Sequence, residues 1–253
     1  MDVNQRAFST AAIVESYARS EALDAAERRI FERFRDRIAG KAVLDLGCGA
    51  GRTTRALATL AASYAGVDLA KPMVERCRAR FAAIDRAHFH VMDAASMPDF
   101  ADSSFDFIQF SYNGIDYLAH EARQAALREV RRLLRPRGVF AFSTHNRRSA
   151  GLVRRPKAPH SLNPRRWATY ARHLANSLSL RGREFACAEY EIVNEQADGF
   201  RLLGYHATAA VTAAQLAAAG LRLLDVLDTE GKSIAPEGDH PDVAFFYFVA
   251  TPA

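Results

Sequence analysis

Cysteine is scarce: Cys48, Cys77 and Cys187 are the three in 253 residues. Their odd number and wide spacing fit neither a disulfide framework nor a zinc knuckle, which suits a reducing compartment. No uninterrupted apolar run of about eighteen residues occurs, so no membrane-spanning helix is expected. No basic-then-apolar leader opens the chain either, and the expected location is the cytoplasm. Basic runs interleaved with aromatics are missing, so a nucleic-acid partner is the lesser expectation. The formal charge of +5, carried mainly by arginine, reads as a solvated surface or as affinity for an anion. Metal-ligand spacings are missing too: Asp239 and His240 stand beside Pro241, where such a pair serves a turn, and no metal is expected. What is present is 49% hydrophobic content, enough for a packed core, and one domain over 1–253 is the simplest organisation.

The most informative stretch is Val43 to Gly51, VLDLGCGAG. Val43, Leu44 and Leu46 make a short buried strand, and Gly47, Gly49 and Gly51 follow as a turn, with a helix expected over 52–62. A glycine turn opening a helix lets a ligand approach bare backbone, because glycine lacks Cβ and adopts positive φ. Before it, residues 10–39 carry helically spaced apolar side chains, one or two amphipathic helices, within an N-terminal helical segment 1–40. Tyr17 there is either a packing residue or an aromatic lid. After it, Tyr64 to Leu69 reads as a second strand ending in Asp68, which can accept from ribose hydroxyls or cap the next helix. His88 to Met92 is a third strand, leading to Asp93 and Ala94. Phe105 to Ser111 is a fourth, running into Tyr112, Asn113 and Tyr117, and Gly138 to Thr144 a fifth, delivering His145. The carboxyl ends of such strands are where open α/β sheets bind ligands.

Residues 146–211 are far longer than an ordinary connection and read as an inserted cover, a helix from Asn163-Pro164 and a hairpin turning at Asp198-Gly199. Its early part carries Arg147, Arg148, Arg154, Arg155, Lys157, Arg165 and Arg166, which either coat a solvated loop or hold an anionic acceptor bidentately.

VLDLGCGAG, VDL, MDAASMPDF and LREVRRLLRPRGVFAF, in that order, resemble the motifs of class I S-adenosylmethionine (SAM)-dependent methyltransferases, over about Lys41 to Thr144. A nicotinamide fingerprint would place a third glycine where Arg52 stands. The resemblance implies a Rossmann-like, seven-stranded, mostly parallel sheet with helices on both faces, an antiparallel edge of two final strands, and the cover after the fifth strand. It implies SAM as cofactor and S-adenosylhomocysteine as product. Asp45, Gly47, Cys48, Gly49 and Gly51 would surround the methionine moiety, and Asp68 would hold the ribose. Leu69 would pack on the adenine, Asp93 and Ala94 would meet its edge, and Ser111 would lie near the amino-acid portion.

Methyl transfer to oxygen or nitrogen of a small molecule needs alignment and a route for the acceptor's proton. His145 and then His206 are the candidate bases, against ordinary hydrogen-bonding roles. Tyr17, Tyr112, Asn113 and Tyr205 are candidates for orienting the acceptor. The alternatives are a SAM-binding protein with a non-methylating or regulatory role and a nucleic-acid methyltransferase. A homodimeric partner is a further expectation.

Overall fold

The computed structural model describes residues 3–253. Four short helices open the chain: α1 (Val3–Phe8), α2 (Ala11–Ala18), α3 (Ala25–Arg33) and α4 (Arg35–Ile38). They replace the one or two longer helices expected, because Asp24 and Glu27 form a capping box that starts α3 afresh and the backbone breaks at Phe34. Then follow β1 (Ala42–Leu46), α5 (Thr54–Ala58), β2 (Ser63–Asp68), α6 (Lys71–Arg80), β3 (Ala87–Val91), β4 (Phe105–Phe110), α7 (His120–Leu133) and β5 (Leu134–Asn146). α5 stops short of the expected 52–62 because the chain turns back, with Ala62 N donating to Lys41 O. The remainder is α8 (Pro164–Leu180), β6 (Phe185–Ala186), β7 (Tyr190–Asn194), β8 (Leu203–Ala207), α9 (Ala209–Ala218), β9 (Leu221–Leu227) and β10 (Phe245–Pro252).

β3, β2, β1, β4 and β5 lie side by side and parallel. Alternation along each strand splits the core between two faces. Leu44, Leu46, Ile108 and Phe110 face α7 and α9, whereas Val43 and Phe107 face α3 to α6. β10 then pairs antiparallel with β5, and β9 with β10, as the edge expected.

The sheet has ten strands rather than seven, because the hairpin of the insertion joins it. β5 is 13 residues long and outruns β4, whose last partner is Phe142. At His145 one edge of β5 is taken by Phe245 of β10, so β8 pairs on the other edge, above the end of β4. β7 and β6 continue antiparallel from β8. The expected hairpin is therefore a wall grown from the main sheet at its ligand-binding end. α8 starts as its sequence directs, with the Asn163 side chain accepting from Arg165 N and Pro164 in the first turn.

The N-terminal helices close over this end. The Asn4 side chain donates to Tyr117 O (3.0 Å) and Leu203 O (2.9 Å) and accepts from Leu203 N, tying α1 to the hairpin. Among the described residues, no helix is long and apolar enough to cross a membrane.

Candidate functional site

A cavity of about 810 Å³ runs from the glycine turn, across the carboxyl ends of β1, β2 and β4, to the hairpin wall. Gly47, Gly49 and Gly51 all have positive φ, yet they do different work. A Cβ on Gly51 would lie 2.2 Å from the Phe81 ring, so that glycine packs the turn onto α6 and does not line the cavity. At Gly49 the nearest atom to a Cβ is Tyr17 Cδ1 at 3.8 Å, so its bare backbone faces open space. Gly47 and Cys48 line the cavity as well.

Asp45 lies beneath the turn and outside the cavity. It shares the inward face of β1 with Val43, and its carboxylate accepts from Thr53 Oγ1 (2.6 Å) and Tyr64 OH (2.7 Å). Burial pushes its pKa up to about 6, against the pull of those two hydroxyls. Asp68 does line the cavity, with Oδ2 accepting from Gly49 N (2.9 Å) and Oδ1 from Ala70 N (2.8 Å). It does not cap α6, whose N-cap is Ala70, but closes the turn ahead of that helix and locks the glycine turn, while each oxygen keeps a further lone pair. Leu69 lines the same stretch with its side chain exposed. Asp93 accepts from Ala95 N through Oδ1 only, which leaves Oδ2 to the cavity beside Ala94, and Ser111 sits at the end of β4. Bare backbone at Gly49, acidic acceptors at two strand ends and an exposed apolar side chain between them suit a nucleoside with a charged tail, and SAM fits that donor and acceptor set.

The other end of the cavity is built around a buried charge. Arg123 of α7 is fully buried (0% exposed) and pairs with Asp116 at 2.6 Å, with further bonds to Gln215 Oε1 (3.2 Å) and Thr144 Oγ1 (3.1 Å). Asp116 also accepts from Thr144 Oγ1 (2.6 Å) and His145 N (2.7 Å), and its Oδ2 stands 2.7 Å from His145 Nδ1. Burial alone would raise the Asp116 pKa, but Arg123 and His145 outweigh it and hold the carboxyl below its usual range. His145 shows the mirror effect: burial would lower it, and the bond and charge of Asp116 with the charge of Glu195 raise it. Its Nε2 faces the Asn113 amide nitrogen at 3.1 Å, on the cavity side.

His206 lies beside His145 with ring centroids 4.6 Å apart, and Glu195 Oε1 is 3.3 Å from His145 Nε2 and 3.7 Å from His206 Nε2. Tyr205, the next residue on β8, points to the opposite face. It is fully buried, accepts from Gln215 Nε2 (2.7 Å) and lies under Arg123, so it supports the ion pair and is removed from the acceptor wall. Tyr17, Tyr112 and Asn113 do line the cavity. Tyr17 OH lies 3.5 Å from Asp198 Oδ2, and Tyr112 holds positive φ with Arg52 over its ring.

The insertion's arginines turn away from the cavity. Arg154 pairs with Glu191 at 2.7 Å, Arg155 with Glu184 at 2.8 Å and Arg148 with Asp239 at 3.6 Å, and Arg147 donates to Ala188 O. Arg52 does line it, bound to Glu27 at 2.7 Å. Asp116, Arg123, Glu195 and Asp198 are absent from the sequence-based candidates. Asp116 was legible as an acid just past β4, whereas Glu195 reads as an ordinary hairpin residue until β8 is paired.

Comparison with known proteins converges on one description. The family model for a methyltransferase domain matches residues 43–138. A probable S-adenosylmethionine-dependent methyltransferase of Mycolicibacterium smegmatis is 34% identical over 118 residues, which cover 47% of this chain and 43% of that protein. The methyltransferase GfsG of Streptomyces halstedii is 34% identical over 129 residues, 49% of this chain and 44% of that protein. The chain thus spans under half the length of these curated relatives. Among solved structures, the CcbJ methyltransferase of Streptomyces caelestis aligns over 100% of both chains with a TM-score of 0.67 at 19% identity. The 1,6-didemethyltoxoflavin-N1-methyltransferase of Burkholderia thailandensis, solved with 1,6-didemethyltoxoflavin and S-adenosylhomocysteine, aligns over 99% of this chain and 88% of its own with a TM-score of 0.65 at 15% identity. At these identities the solved structures share the fold.

Proposed function

We propose that the chain is a class I SAM-dependent methyltransferase, a reading supported by the methyltransferase-domain match over 43–138 and by the fold shared with solved methyltransferases, that it methylates oxygen or nitrogen of a small molecule, and that His145 takes the acceptor's proton. When bound, SAM supplies a methyl group made electrophilic by its sulfonium. Gly47, Gly49, Asp68, Leu69, Asp93 and Ala94 would hold it.

The observation that carries the reading is the Asp116–His145 contact. The 2.7 Å contact with Asp116 Oδ2 favours Nδ1 as the protonated nitrogen and leaves Nε2 as the basic one on the cavity side, where an acceptor's proton would displace the Asn113 amide N–H. Buried Arg123 keeps Asp116 ionised, and Asp116 stabilises the imidazolium that forms. His206 touches the same space from β8 and helps position the acceptor. The carboxylates of Glu195 and Asp198 in the cavity wall also disfavour a polyanionic acceptor such as nucleic acid.

Calorimetric titration of SAM, paired with methyl-transfer assays on His145→Ala, tests the reading. Retained SAM binding with a lost transfer rate is expected, and a normal rate on a confirmed acceptor would remove His145 from the role.

A further inference from the structure

Three basic side chains converge at the acceptor end: His145, whose Nε2 faces the Asn113 amide nitrogen, with Glu195 and His206. Glu195 is 9% exposed, and its Oε1 has no hydrogen-bond partner. His206 is 1% exposed, and neither of its ring nitrogens has one. With His145 Nε2, these ligand atoms all lie within 4.8 Å of one another. Gly204 lets the carboxylate tuck in, since a Cβ there would sit 2.8 Å from Glu195 Oε1. Leaving a buried acceptor unmet costs about 1–3 kcal/mol, more if it is charged, so such a spot calls for a ligand rich in donors.

The charge of the surrounding wall gives the ligand's sign. Asp198 stands across the cavity, and Tyr17, Tyr112, Tyr117 and Phe8 supply ring faces and edges. Arg52 is held by Glu27. An anion would meet carboxylates here, and a hydroxyl would bring a single donor and no charge to offset Glu195. An ammonium brings three N–H donors and a positive charge on one atom, and aromatic rings favour it further.

We propose that the methyl acceptor is a small amine that enters as its ammonium ion, with Glu195 as its counter-ion. This deepens the methyltransferase reading and rests on it. The ammonium gives one proton to His145 Nε2, and the freed nitrogen lone pair forms the new C–N bond as the C–S bond breaks and its electron pair returns to sulfur. The products are a neutral thioether, an N-methylammonium and an imidazolium, so the total charge is conserved. The same two histidines and carboxylate are also the donor set of a divalent metal. The ring faces and edges of Tyr17, Tyr112, Tyr117 and Phe8 around them favour the organic cation.

The test uses the full chain saturated with S-adenosylhomocysteine and two matched probe pairs, phenethylamine with 2-phenylethanol and cyclohexylamine with cyclohexanol. Calorimetry should show the amines binding and the alcohols binding at least about tenfold more weakly. Glu195→Gln should weaken the amines by about 30-fold or more while leaving affinity for S-adenosylhomocysteine unchanged, which also reports that the variant is folded. Glu195→Asp should restore part of the loss. Amines that bind no better than their alcohols, do not bind, or bind Glu195→Gln as well as the parent overturn the proposal, as does a stoichiometric divalent metal carried by the purified protein and lost in Glu195→Gln. Failure of S-adenosylhomocysteine itself to bind would instead overturn the methyltransferase reading.

Discussion

His145 and His206 are register partners on adjacent parallel strands, and their rings stack 4.6 Å apart. Paired residues leave a sheet on the same face, so docking β8 onto the overhanging end of β5 places a second imidazole beside the first. The connection between β7 and β8 then brings Glu195 to both. A parallel sheet that ended at β4 and β5 would offer His145 alone.

His145→Ala should lower methyl transfer by about 10²- to 10⁴-fold, the usual range for a lost general base, with SAM affinity within about threefold of the parent. Single-turnover rates with saturating SAM measure the first quantity and calorimetry the second.

The rate should rise with pH through a value above that of a free imidazole, because the base must be neutral and the pKa of His145 is raised by Asp116 and Glu195 against the opposing effect of burial. Glu195→Gln removes one raising charge and should move this acid limb to lower pH. The sign for stability is opposite in sense. The contribution from protonated His145 is fully present below the pKa of the unfolded chain and is lost as pH rises through the raised folded value. Rate profiles and denaturant melts over the same pH range check both signs.

Arg123→Met should destabilise the fold by about 3–5 kcal/mol, since it leaves Asp116 charged, buried and without its partner. At roughly 2–4 °C per kcal/mol for a chain of this size, a drop of about 6–20 °C in melting temperature is expected. Combining it with Asp116→Asn should cost less than the sum of the two changes, because the residues are in contact.

Two glycine substitutions should separate folding from binding. Gly51→Ala forces a Cβ to within 2.2 Å of Phe81 and should lower the melting temperature markedly. Gly49→Ala meets no clash and costs about 1–2 kcal/mol in backbone strain, yet it projects a methyl into the cavity and should weaken SAM binding by tenfold or more. Equal SAM affinity in Gly49→Ala would place the cofactor elsewhere.

The parallel strands were legible because each is a short apolar run buried on both faces, and Val43 to Gly51 announced strand, turn and ligand face together. Asp68 and Asp93 were legible as acids at strand ends. Asp45 and Gly51 were not separable from their neighbours by spacing, since which side of the turn meets α6 depends on where Phe81 packs. Tyr205 and His206 show a different limit. Alternation puts them on opposite faces, but only pairing of β8 with β5 decides which face meets the cavity. Glu195 depends on that same non-local pairing, and so does the count of ten strands. The arginines of the insertion drew attention as an anion site, and their partners Glu191, Glu184 and Asp239 became evident only once the segment was folded.

The most direct measurement is a mass-spectrometric screen of a metabolite collection with purified protein and SAM, run in parallel with His145→Ala. An acceptor gaining one methyl group, with S-adenosylhomocysteine formed in equal amount by the parent and almost none by a variant that still binds SAM, is the expected result. Equal turnover by His145→Ala, or no binding of SAM by the parent, would contradict it.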